Sequence, residues 1–221
     1  MRTILSALAL VLCGLWGASQ ARAASICDGV AGNIVANCGF ETGDFTGWTI
    51  SGNTANPGGN YYGVDAFDAN SGNYGAYMSQ DLFVGTAPVD LSQTLATSAG
   101  PYQVTFWLEQ DTAPTLGYTH TFSATWGGTT TMLSLTPTVA LPGPVGVFTE
   151  YQFTETATGA STVLAFAFEN DDSFWSFDDV SVVNTPSSVP EPSSMLLLGF
   201  GLVGIGGFAK ARLRERVGVL R

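Results

Sequence analysis

Between residues 24 and 184 the chain alternates apolar and polar positions in short runs, separated by clusters of Gly, Pro, Asn and Asp. Period-two runs over 33–37, 47–51, 74–79, 89–96, 102–110, 119–126, 129–135, 147–157, 161–170 and 174–184 predict strands. No stretch of this region carries a helical period. Short strands at this spacing predict an all-β domain, an antiparallel β-sandwich of the jelly-roll kind. Strand parity assigns the faces. In 102–110, Tyr102, Val104, Phe106 and Leu108 share a core face, which turns Trp107 outward with Gln103, Thr105 and Glu109. In 161–170, Leu164, Phe166 and Phe168 alternate with Val163, Ala165 and Ala167, so both faces are apolar, as suits a central strand.

The two ends follow other patterns. Met1-Arg2, an apolar stretch from Ile4 to Trp16, and Ala21-Arg22-Ala23 have the order of a secretory signal peptide, residues 1–23, with cleavage before Ala24. At the other end, a linker over 185–194 contains Val189-Pro190-Glu191-Pro192. An uncharged run over 195–209 and a basic tail over 210–221 follow it. The run is roughly 22 Å long as a helix, short for a single transmembrane helix in a hydrocarbon core of ~30 Å. The Arg residues after it orient the C-terminus to the cytoplasm.

Charge narrows the functions further. All seven basic residues lie at the ends, at Arg2, Arg22, Lys210, Arg212, Arg214, Arg216 and Arg221. The β-rich region therefore has no cation to neutralise phosphates, which excludes nucleic-acid binding by the usual electrostatic footprint. A buried carboxylate there has no basic partner; it must be protonated, bonded to N–H or O–H donors, or bound to a metal. Without the signal peptide, Cys27 and Cys38 are the cysteines that remain, and in an exported chain they read as one disulfide.

The tetrad, the short apolar run and the Arg-rich tail closely resemble the PEP-CTERM sorting signal of exopolysaccharide-producing Gram-negative bacteria. That resemblance implies processing by signal peptidase and then by an exosortase that cuts near the tetrad. It also implies transient anchoring in the inner membrane through 195–209, followed by release or attachment at the cell surface or extracellular matrix. A permanent single-span anchor is the competing reading.

A second resemblance covers the middle. Asn37-Cys38-Gly39-Phe40-Glu41 followed by Gly47-Trp48, and the closing Phe177-Asp178-Asp179-Val180 strand, are similar to the ends of galactose-binding-like jelly rolls. Many carbohydrate-binding modules belong to that group. The resemblance implies a structural Ca²⁺ held by Glu41 with Asp178 or Asp179, and oxygen-only ligands suit that ion. Parity favours Asp178, on the face of Val180 and Val182. Asp68-x-Asn70-x-Gly72 lacks a terminal bidentate Glu and reads as a turn.

Candidate contacts for a polysaccharide are outward aromatics, chiefly Trp107, with Tyr61, Tyr62 and Trp175. Core packing is the competing role for Trp48, Trp126 and Trp175. His120 is the single histidine and no G-x-S-x-G is present, so Ser-His-Asp chemistry is not indicated. A non-catalytic binding module is expected. A small hydrolase using two carboxylates and a purely structural coat protein are the alternatives.

Overall fold

The computed structural model describes residues 24–54, 61–79, 87–113, 118–136 and 146–185. The signal peptide, the Val189–Pro192 tetrad, the apolar run and the basic tail lie outside the described residues. Among the described residues no helix is long and apolar enough to cross a membrane.

The strands are β1 (Thr49–Gly52), β2 (Tyr62–Asp65), β3 (Gly75–Met78), β4 (Val89–Ala96), β5 (Gly100–Gln110), β6 (His120–Trp126), β7 (Thr130–Leu135), β8 (Thr149–Ala157), β9 (Ser161–Asn170) and β10 (Trp175–Asn184). They form two five-stranded sheets, in the orders β1-β4-β9-β6-β7 and β2-β3-β10-β5-β8. All pairings are antiparallel. This is the predicted all-β sandwich.

Alternation in the sequence becomes alternation of burial. In β5, Tyr102, Val104, Phe106 and Leu108 are buried while Gln103, Trp107 and Glu109 are half-buried. Thr105, expected outside, is at the edge of burial at 9%. The core is built from aromatics of both sheets. Phe166 on β9 meets Phe177 on β10 with ring centroids 4.6 Å apart, and Phe106 on β5 lies edge-on to Phe166 at 5.2 Å. Offset and edge contacts of this kind add to the burial of the rings themselves.

One strand expectation fails and one strand was not foreseen. Residues 33–37 are not a strand. Ile34 N–H does bond Val182 O (3.0 Å), but beside it the Asn33 side chain, not backbone, continues the ladder. Its Oδ1 accepts from Val182 N–H (2.9 Å) and its Nδ2 donates to Val180 O (3.2 Å). Asn37 at φ +48° then turns the chain away. Strand β2 carries its alternation in only two apolar residues, Tyr62 and Val64, which pack on the core, too few for the sequence pattern to predict it.

Candidate functional site

Strand β10 lies at the centre of the second sheet, between β3 and β5. Its pairing with β5 shifts between Asp178 and Ser181, a β-bulge, with Asp179 at φ +51°. Before the bulge Phe177 faces the core opposite Leu108; after it, Val180 and Val182 are the hydrophobic core residues, with Asp178, Asp179 and Ser181 buried beside them. The bulge overturns the expectation that Asp178 shares the face of the two valines. Asp178 lies directly opposite Trp107, on the outer face of the sheet.

That outer face is assembled by register. Trp107 sits between Asp178 on β10 and Glu150 on β8. Thr105 sits between Ser181 and Gln152, with Gln152 Nε2 donating to Thr105 Oγ1 (3.4 Å). Glu109 lies opposite Ser176, whose other neighbour is Tyr77 on β3. The result is one aromatic plane surrounded by amides, hydroxyls and carboxyls. Burial raises the carboxyl of Glu109, with the charge of Asp111 adding to it. Asp68 accepts a hydrogen bond from Ser176 Oγ. Burial first, then its neighbour Asp65, pushes its carboxyl up to about 6.

Above β10 the two aspartates hold a loop. Asp178 Oδ2 accepts the backbone N–H groups of Asn70 (2.9 Å) and Ser71 (3.1 Å), and its Oδ1 accepts Asp179 N–H (2.7 Å). Asp179 Oδ1 accepts from Ser25 Oγ (2.5 Å) and Cys27 N–H (3.3 Å). Its Oδ2 accepts from Asn70 Nδ2 (2.8 Å) and Ser71 Oγ (2.7 Å). Glu41 grips the far end of the same loop, accepting Asn73 N–H (2.7 Å), Tyr74 N–H (3.2 Å) and Asn73 Nδ2 (2.8 Å). Gly72 stands between the grips at φ +73°, where a Cβ would collide with the Glu41 carboxylate.

Glu41, Asp178 and Asp179 do not form a set of three carboxylates close enough to share one ion, and N–H or O–H donors meet each of them. Among the described residues the set of three side chains close enough for a metal is Cys27, Asp28 and Cys38. Two of those are joined in the expected Cys27–Cys38 disulfide. Burial first, and then the charge of Asp179, push the Asp178 carboxyl up to about 8.

The remaining sequence candidates separate. Trp175 is fully buried and its Nε1 donates to Glu169 O (3.0 Å), so it is a core residue and not a surface contact. Tyr62 is half-buried and turned to the core side, against Phe45. Tyr61 is half-buried just before β2. Trp107 keeps its outward position. His120 is buried, with Nε2 2.9 Å from Asp172 Oδ1 and Nδ1 3.3 Å from Gln110 Nε2. Its second nitrogen thus meets an amide where a nucleophilic hydroxyl would be needed. Ser173 Oγ bonds Asp111 instead (2.8 Å). Of the residues that hold Asp179, Asn70 stands out in the sequence only as part of the Asp68-x-Asn70-x-Gly72 turn, and Ser25 and Ser71 carry no signal; all three are far from it along the chain.

Comparison with known proteins adds to this geometry at both ends of the chain. Residues 188–212 match the PEP-CTERM protein-sorting motif. The motif marks an exported protein, and it overlaps the expected tetrad, apolar run and first basic residues. No curated protein matches the chain. Among solved structures, TmCBM61 in complex with β-1,4-galactotriose is similar at 21% identity and a TM-score of 0.51, over 69% of this chain and 99% of that one. A family 16 carbohydrate-binding module is similar at 16% identity and a TM-score of 0.46, over 69% of this chain and 100% of that one. The CBM22-1 xylan-binding domain from Paenibacillus barcinonensis Xyn10C is similar at 14% identity and a TM-score of 0.43, over 72% and 98%. The likeness to TmCBM61 shows the jelly-roll fold.

Proposed function

We propose that this PEP-CTERM protein is a non-catalytic module that binds extracellular polysaccharide on the outer face of the β2-β3-β10-β5-β8 sheet. The observation that carries the reading is the surround of Trp107, an aromatic plane flanked by Glu150, Gln152 and Glu109, with the buried Asp178 behind it held by the 70–71 loop. An apolar ring face with a few placed hydrogen-bonding groups is what a pyranose presents to and requires of a protein. The absence of Lys and Arg between residues 23 and 209 favours neutral over anionic chains. The sorting motif supports delivery to the surface, where such polymers lie. After exosortase cleavage the domain is released or held at the cell surface or matrix.

A second reading, a carboxylate-dependent hydrolase, is favoured by one observation. Asp68, pushed up to about 6 beside Asp65, is a carboxyl able to hold a proton near neutral pH. The two readings separate on a panel of neutral polysaccharides. A binding module gives saturable heat in calorimetric titration with no new reducing ends on prolonged incubation. Reducing ends that appear with wild type and vanish with Asp68→Asn establish the hydrolase and overturn the first reading.

A further inference from the structure

A separate cavity of about 250 Å³ opens at the end of the sandwich where β6 runs into β7 and β8 into β9. Ala157 in its wall pairs with Gly100, seven residues along β5 from Trp107, about 23 Å away at the rise of a strand. It is therefore not part of the face described above.

Its walls are rich in hydroxyl-bearing residues. Thr129, Thr130, Thr156, Thr158, Ser161 and Thr162 line it with Val163 and the largely buried Trp126, and no charged side chain contributes. Trp126 Nε1 donates to Thr156 O (3.0 Å), so the indole N–H is not available to a ligand. Thr97 Oγ1 donates to Gly159 O (2.8 Å) and so must accept in its 3.0 Å bond with Thr162, which leaves Thr162 Oγ1 a lone pair for a donor.

The rims are fixed before anything binds. Thr97 N–H bonds Ala160 O (3.1 Å), pinning the β8–β9 hairpin, and Gly127 N–H bonds Val163 O (2.9 Å), pinning the β6–β7 turn. Gly127 in the wall, and Gly128 and Gly159 in the two turns beside it, have nothing within 4 Å of where a Cβ would stand. A preorganised rim lowers the ordering cost of binding.

We infer that this cavity is a second binding site, which takes one uncharged sugar residue at the end of a glycan. Hydroxyl-bearing walls can donate and accept, as a polyol does, while no charged side chain there would pair with an ionic group. The volume lies below the roughly 300–1,000 Å³ of clefts for drug-sized ligands, which restricts it to a single residue. The inference shares only a ligand class with the proposed function, and its test is independent of Trp107.

The test is a ¹⁵N–¹H NMR titration of the exported protein with methyl glycosides of galactose, glucose, mannose and xylose, into the tens of millimolar. At least one glycoside should shift the amides of Gly127, Gly128 and Gly159. Thr158→Trp, at the exposed rim, should weaken that binding at least tenfold, and Ser161→Trp serves if the first variant does not fold. Trp107→Ala should leave it unchanged. Silence of the three glycine amides with all four glycosides would overturn the site, as would shifts that persist when the rim is blocked or vanish with Trp107→Ala.

Discussion

Asp178 is the residue at which the charge pattern of the chain matters most. It is fully inaccessible, next to Asp179, and without a cation among the described residues. Three N–H bonds favour its ionised form, yet burial and the neighbouring charge outweigh them and hold its carboxyl near 8. Because this value is raised above that of the unfolded chain, the native state binds the extra proton. The stabilisation is complete below the unfolded value of about 3.9 and is lost as pH rises through about 8. Asp68, held near 6, acts in the same direction. The domain should therefore melt at a higher temperature at pH 5 than at pH 8.5, by on the order of 1–3 kcal/mol in stability. Asp178→Asn should remove most of that difference. A melting temperature that rises with pH over this range would mean that Asp178 is ionised throughout.

The bulge in β10 and the loop from Asp65 to Tyr74 act together as one element. Glu41 and the two aspartates supply the acceptors and the loop supplies the donors, so the first segment of the domain is tied to the last strand through a third one. The Cys27–Cys38 disulfide fixes the turn that carries Cys27 N–H toward Asp179. Adding a chelator at constant ionic strength should leave the melting temperature unchanged, because N–H and O–H donors hold these carboxylates without an ion. A drop of several degrees would show a bound divalent ion stabilising the native state by mass action. The resemblance to galactose-binding-like jelly rolls makes Glu41, Asp178 and Asp179 visible as a group in the sequence, and the lack of any Lys or Arg between 23 and 209 adds weight to it. Their partners are not visible, because Ser25, Asn70 and Ser71 approach only through the bulge. Parity carried through β5 but failed at Asp178, where one inserted residue reverses the faces.

For the molecule as a whole, the strand pattern and the sorting motif were legible because each depends on order along the chain. Nine of the strand expectations correspond to strands, and the miss at 33–37 comes from an Asn side chain doing the work of backbone. The end-cavity was not legible, since its walls come from two hairpins joined only by tertiary contact. The motif over 188–212 predicts that the native host removes the tail near Pro192. Intact-mass measurement of the surface protein should show its C-terminus near the tetrad, and a mass that includes Arg221 would indicate a permanent anchor. The proposed polysaccharide binding rests on the face around Trp107. Affinity electrophoresis through gels containing the host's own extracellular polysaccharide addresses this face directly. Wild type should be retarded relative to a polymer-free gel, and Trp107→Ala should migrate as though the polymer were absent. Equal retardation of the two proteins, or none of either, would contradict binding at this face.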